Sequence, residues 1–320
     1  MKVDLYIYNG KKAYIPAVLD GITWTTERKG TPGKLEFKVY QDNKLKFTEG
    51  NAVSLMVDKK KIFYGYVFEK KRNDDKTITV TAYDQLRYLK NKDTIMYSGK
   101  KASEVVKMLA DSFHLACGKL ADTGYVIPSR VESNKTLFDI IQNALDQTLL
   151  NTGKLYVLMD VFGSLELKNI EELTTNVLID TETCKDIDYT SGIDGETYNK
   201  IKLTYDNEDT GKRDVYIAQD SNNINNWGVL QYYDTLQEGE NGASKVEKLL
   251  KYYNQKTRTL DVKGAFGNTK VRAGYYVFVN LQLDDLKVQN YMLCEKVTHK
   301  FEENNHTMDL SLIGGKFNSV

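Results

Sequence analysis

Apolar and polar residues alternate in short runs through residues 1–92. Runs at 5–8 (Leu5-Tyr6-Ile7-Tyr8), 35–40, 52–57, 62–68 and 77–81 are split by clusters of turn-forming residues. This period of two predicts strands with one buried face. Lys29-Gly30-Thr31-Pro32-Gly33 reads as a loop. The pattern changes after residue 92. Over 102–114, Val105, Val106, Leu109 and Phe113 share one helical face. Over 137–150, Leu137, Ile140, Ile141, Ala144, Leu145 and Thr148 recur at helical spacing, and Asn151-Thr152-Gly153 supplies a C-terminal stop. Apolar runs at 155–159 and 165–167 flank Asp160-Val161-Phe162-Gly163-Ser164 and predict a hairpin. Alternation returns at 199–205 and 213–217, followed by a polar, Asn-rich loop at 220–226. A third helix is predicted over 243–253. Ser244-x-x-Glu247 matches a capping box, and Val246, Leu249, Leu250 and Tyr253 form its apolar face. Strands then run to Leu312.

The last strands resemble the first. Leu35-Glu36-Phe37-Lys38-Val39 is followed by Asn43-x-x-Lys46 and Gly50-Asn51-Ala52-Val53. Leu260-Asp261-Val262-Lys263 is followed by Asn268-x-Lys270 and Gly274-Tyr275-Tyr276-Val277. Leu35 and Leu260 are 225 positions apart; Gly50 and Gly274, and Val53 and Val277, are 224 apart. Both copies continue through an aromatic strand ending in Glu-Lys (Glu69-Lys70; Glu295-Lys296), a polar hairpin and a final alternating strand. Order, spacing and chemistry agree over some fifty residues, which predicts an internal duplication. The expected class is α+β, mainly β. A first β module spans 1–92, and an α+β region spans 93–187 with 218–258 packed on it. A second β module is built from 188–217 plus 259–316.

Composition narrows the function classes. At 320 residues the chain holds two or three domains. Lys+Arg and Asp+Glu are both 44, so no net charge draws it to nucleic acid or to anionic membranes. No apolar stretch approaches eighteen residues, and no apolar leader follows Met1. Cys117, Cys184 and Cys294 stand far apart, which suits folding in a reducing cytoplasm better than a disulfide framework. Tyr is abundant, at 22, and favours both strands and interfaces.

The chain carries no GxSxG, HExxH, P-loop or GxGxxG motif. His299 and His306 lie seven apart in the last hairpin. They are expected to be exposed polar residues beside a turn rather than a metal clip. His114 is expected at a helix end in a structural role, and Cys117, three residues on, is too close in sequence to form a Cys–His pair with it. Glu171-Glu172 and Asp284-Asp285 read as solvated carboxylates in turns. Lys59-Lys60-Lys61 and Lys70-Lys71-Arg72 read as strand-end charges that guard an edge rather than a phosphate strip. No catalytic residue, cofactor or metal ligand is therefore assigned.

A set of spacings carries a family resemblance. Thr136-Leu137-Phe138-Asp139-Ile140-Ile141-Gln142-Asn143-Ala144-Leu145, then Gly153-Lys154-Leu155-Tyr156-Val157-Leu158 and Gly163-x-Leu165-x-Leu167, is one part. Trp227-Gly228-x-Leu230-Gln231, Arg258-Thr259-Leu260-Asp261-Val262-x-Gly264-Ala265-x-Gly267 and Val271-Arg272-Ala273-Gly274 are the others. Together they resemble tail hub proteins of the XkdQ/YqbQ type, found in contractile phage tails and phage-tail-like bacteriocins. The resemblance implies two tail-tube-like β-barrels with an inserted α+β region. It implies a structural baseplate hub, made in the bacterial cytoplasm and assembled as a homotrimer. Its six barrels would join a sixfold tube protein to a threefold spike protein, beside other baseplate proteins. It implies no cofactor, no membrane and no direct nucleic-acid contact. The Tyr-rich strands supply candidate inter-subunit contacts at Tyr64, Tyr66, Tyr275, Tyr276 and Phe278. A tail-associated cell-wall hydrolase and a carbohydrate-binding module are the alternatives.

Overall fold

A computed structural model describes residues 1–42, 44–207, 211–236, 240–283 and 286–314. Asn43, the Asp284-Asp285 pair and the tail from residue 315 on, all used in the sequence reading, lie outside these residues. The first ninety residues form β1 (Val3–Asn9), β2 (Lys12–Tyr14), β3 (Val18–Glu27), β4 (Lys34–Tyr40), β5 (Ala52–Val57), β6 (Lys60–Arg72) and β7 (Thr77–Tyr83). Alternation decides their faces: Leu35, Phe37 and Val39 of β4 enter one core with Ile7, Trp24, Val53, Leu55 and Val80.

A 3-10 turn over Gln85–Lys90 leads into the middle region. It holds β8 (Lys92–Lys101), α1 (Ala102–Ser112), β9 (Cys117–Leu120), β10 (Val126–Thr136), α2 (Leu137–Thr152), β11 (Tyr156–Asp160) and β12 (Leu165–Asn169). Thr136 caps α2: its Oγ1 accepts the Asp139 N–H (3.1 Å), and Gly153, left-handed at φ +73°, ends it. Leu137, Ile140, Ile141, Ala144 and Leu145 are buried against α1 and the β11–β12–β9 sheet. Ile141→Ala is expected to cost about 2–5 kcal/mol by cavity formation, read from denaturant melts. A variant as stable as the unaltered protein would mean that this face does not carry the middle core.

The next elements are β13 (Thr174–Ile179), β14 (Asp186–Gly192), β15 (Lys200–Asn207), β16 (Lys212–Gln219), α3 (Ser221–Trp227), β17 (Gln231–Thr235) and α4 (Gly242–Tyr253). The chain closes with β18 (Thr257–Phe266), β19 (Tyr276–Leu283), β20 (Leu286–Glu302) and β21 (Asn305–Gly314). Three details differ from the sequence reading. First, β13 leaves the middle region and joins the second β module beside β14, whereas β15 and β16 pair with β17 in a sheet of their own. The cause is burial: Ile179 enters the second module's core, while Ile201, Leu203 and Ala218 meet Val246 and Leu249 of α4. Second, the polar run at 220–226 is the helix α3, because Asp220 caps it by accepting the Asn222 and Asn223 N–H groups (2.9 and 3.0 Å). Third, α4 is capped by Asn241, which accepts the Ser244 N–H (3.0 Å), rather than by Ser244.

The duplication is present in the topology. The first module runs β3-β4-β7-β6-β5-β1; the second runs β14-β18-β21-β20-β19-β13. Leu35 faces Ala82 across β4–β7 as Leu260 faces Leu312 across β18–β21. Gly50 and Gly274 are both left-handed, at φ +83° and +89°. Their N–H groups donate to Val67 and Cys294 carbonyls, each at 2.8 Å, and both modules carry a β-bulge there, at Phe68 and Glu295. The shared bulge makes Glu69 equivalent to Lys296, one position off the match of Glu69 with Glu295 read from the sequence. The outermost strands differ: β1 is antiparallel to β5, while β13, entering from the middle region, is parallel to β19. The main path runs from β14 to β2 with β19 and β13 branching from β20, and among the described residues no pairing closes either module on itself.

Candidate assembly site and its buried junction

The two modules meet strand to strand. β20 pairs antiparallel with β3 from Lys296↔Glu27 to Phe301↔Ile22. Thr25 and Thr298 hydroxyls stand 3.2 Å apart, Lys296 pairs with Glu27 (2.9 Å), and the bulged Glu295 takes the buried Arg28 guanidinium (2.6 Å). Trp24 lies flat on His299 at 5.0 Å between ring centres.

His299 and His306 are therefore not exposed beside a turn. His299 is fully buried, because β3 covers that face of β20 with Trp24. Its Nε2 meets the Val271 carbonyl (2.8 Å), and its Nδ1 meets His306 Nε2 (3.0 Å). A carbonyl only accepts, so His299 Nε2 carries the hydrogen and Nδ1 accepts from His306 Nε2. Protonating His299 would set two N–H groups against each other. Burial draws His299 down to about 3, and burial draws His306 down to about 4. The unfolded chain then binds more protons, so this contribution is complete above about pH 6.5 and is lost as pH falls toward 4 and then 3. Each pKa unit of displacement is worth about 1.4 kcal/mol. His306→Phe keeps a ring beside Phe301 and removes one titration. Its denaturant midpoint is expected to fall less between pH 6.5 and 4 than that of the unaltered protein; parallel curves would refute the pair's role.

A second buried cluster lies where both modules meet the middle region. The Asp84 carboxylate accepts the Gly33 N–H (3.0 Å) and the Leu86 N–H (3.1 Å). Asp160 Oδ1 accepts the Gly163 N–H (2.7 Å). Between them Arg272 donates to the Asp160 carbonyl (2.7 Å) and lies over the Trp24 ring at 5.2 Å. Burial, then the charge of Asp160, holds Asp84 well above the usual carboxylate range. Burial raises Asp160 to about 6, and burial lowers Arg272 against the pull of Asp84. Sequence reading passed over this cluster. The available signal was a lone Arg between Val271 and Ala273, both of which are core residues.

The five candidate aromatic contacts divide. Tyr64 packs on Tyr66 (6.0 Å) and on Phe162 of the middle hairpin (5.5 Å), and Tyr66 also meets Tyr88 (6.5 Å). Tyr275 and Tyr276 pack against Leu155, Val157 and Leu173, and burial pushes Tyr276 up to about 12. These four are engaged within the chain. Phe278 instead meets Tyr291 (5.2 Å), whose ring is half exposed. Lys61 lies over Phe162 (4.9 Å) and Lys70 over Phe47 (4.5 Å). Among the described residues no group of three His, Cys, Asp or Glu is placed to hold a metal. No described helix is long and apolar enough to cross a membrane.

Two six-stranded modules of the same strand order around a small α+β region define a fold shared with phage tail proteins. The 43 kDa tail protein of prophage MuSo2 from Shewanella oneidensis superposes with a TM-score of 0.71 over 97% of this chain and 98% of that one, at 13% identity. The E. coli c3393 protein, a type VI secretion component similar to T4 tail proteins gp27 and gp5, superposes at 0.61 over 99% of this chain and 78% of that one, at 9% identity. The chain belongs to the YqbQ-like family, whose model matches residues 22–313. It is 31% identical over 272 residues to the uncharacterized YqbQ of Bacillus subtilis strain 168, covering 83% of this chain and 82% of that protein.

Proposed function

We propose that the protein is a structural hub of a tail baseplate. Three copies form a collar of six barrel-like modules that joins a sixfold tube to a threefold spike. One observation carries this: the same six-strand order, left-handed glycine and bulge occur twice in one chain. Two modules joined edge to edge occupy two neighbouring places in a ring, so three chains complete six places. Kinship with the E. coli secretion component similar to gp27 and gp5 supports placing that ring at the tube end. Of the five aromatic candidates, Phe278 supports this reading best, because the ring it meets, Tyr291, is half exposed. A wall-hydrolase reading gains nothing from the buried acids, since Asp84 and Asp160 are each 3% exposed and enclosed with Arg272. Copy number in intact tail tips, by quantitative mass spectrometry or particle imaging, tests the proposal. Three per tip is expected; one or six would overturn it.

A further inference from the structure

The joint between the modules has two unused halves. Among the described residues β14 pairs only with β18, and Glu69–Arg72 of β6 pair only with β7. By the module equivalence, β14 stands where β3 stands, and Glu69–Asn73 of β6 stand where Lys296–Lys300 of β20 stand. The described residues of the loop before β5 bond to Val67 through Gly50 and Asn51 and to the Lys70 ammonium through the Phe47 carbonyl (2.6 Å), and they pair no backbone group of Glu69–Arg72. Its counterpart before β19 is present in the second module, and there β3 docks with the Thr26 hydroxyl accepting the Ala273 N–H (3.1 Å). The open edge is also aimed correctly. Asn73 N–H donates to Thr77 of β7 (3.0 Å). By strand alternation Lys71 turns the same way, while Lys70 and Arg72 present their N–H and C=O groups outward.

We propose that β6 of one chain pairs antiparallel with β14 of the next copy in the register Lys70↔Ser191, Lys71↔Thr190 and Arg72↔Tyr189. This rests on the trimeric hub reading and names its contacts. The register is that of Val297↔Thr26, Thr298↔Thr25 and His299↔Trp24 within the chain. The chemistry fits position by position. Arg72 meets the Tyr189 ring as a cation over an aromatic face. Lys71 lies diagonal to Asp188, within reach on one face of the ladder. Phe68 and Ile193 replace the Arg28–Glu295 ion pair with an apolar contact. Asp186, Asp188, Lys71 and Arg72 are all exposed. The two edges carry opposite charge, so β6 repels a second β6 and β14 a second β14, while the unlike pair attracts. That selects head-to-tail contact, which a ring requires, over a two-fold dimer.

The test is a cysteine pair in full-length protein within assembled particles. Cys117 and Cys184 are first changed to Ser; Cys294 is buried and stays. Lys71 and Thr190 face each other as a non-hydrogen-bonded pair, where side chains approach closely enough for a disulfide. In Lys71→Cys/Thr190→Cys particles, mild oxidation is expected to move most of the chain to a covalent trimer on a non-reducing gel. Either single variant, and Lys71→Cys/Asp186→Cys, should stay monomeric. Particles with three copies per tip but no cross-link at the predicted pair overturn the register and leave the trimer standing. One or six copies per tip removes both. Charge exchange gives a second measurement: Lys71→Glu and Asp188→Lys, each folded by its melting curve, should lower incorporation into tips at least tenfold. Their combination should restore it, and a combined variant no better than the singles overturns the proposal.

Discussion

Trp24→Ala is expected to lower the unfolding free energy by about 3–5 kcal/mol at neutral pH, the range for truncating a large buried aromatic. Trp24 is 2% exposed and sits at the centre of the joint. On one side it stacks on His299 at 5.0 Å; on another it receives the Arg272 guanidinium at 5.2 Å. Truncation empties a space that neighbouring strands cannot collapse into, because β3 is held by ladders to both β4 and β20. It also removes the aromatic face from a desolvated cation, a contact worth about 2 kcal/mol in such surroundings. Trp24→Phe keeps a ring over His299 and is expected to recover part of the loss. Denaturant midpoints and slopes measure both. A Trp24→Ala protein within about 1 kcal/mol of the unaltered one would show that the joint is not a stability centre.

The second large effect is expected from Arg272→Met, at about 3–5 kcal/mol at pH 7, the range for removing one partner from a buried charged group. Methionine fills much of the arginine stem's volume but supplies no charge to Asp84 and Asp160. It also leaves the Asp160 carbonyl without its 2.7 Å donor. The pH dependence distinguishes this from a packing defect. Asp84 and Asp160 already sit above the usual carboxylate range, and loss of the cation moves them higher. A carboxyl whose folded pKa is raised binds more protons folded than unfolded, so it destabilises progressively as pH rises through and above about 4. The deficit of Arg272→Met should therefore be largest at pH 7 and shrink by pH 5. A deficit independent of pH over that range would show that packing alone was lost.

Both effects fall on residues whose importance the sequence does not display. The alternating runs read from the sequence do not include Trp24, and Arg272 enters only within the Val271-Arg272-Ala273-Gly274 block. Their weight comes from β3 meeting β20 across more than 270 positions of chain, and no local pattern reports such a pairing. His299 and His306 fail for the same reason: a histidine beside a polar hairpin looks exposed until another strand is laid on it. Within 188–217, β14 falls in the second module as expected but β15 and β16 do not, because alternation marks a strand without naming its partner. β14 and β15 both alternate, yet one completes the second module and the other belongs to the sheet under α4.

What the sequence by itself determined is local or periodic. The period-two runs set β1, β4, β5, β6 and β7 of the first module but not β2 or β3, the spacing of Leu137 to Leu145 set α2 and its buried face, and Gly153 set its end. The constant offset between Gly50 and Gly274 disclosed the duplication, because a left-handed turn before a Val-rich strand needs glycine in both copies. Only the tertiary structure decided which edges the strands share, where the bulges fall, and that β3 pairs with β20 while the equivalent edges of β14 and β6 have no partner strand among the described residues. Those outcomes depend on burial and hydrogen bonding between distant segments, and a chain encodes them only through the sum of its packing.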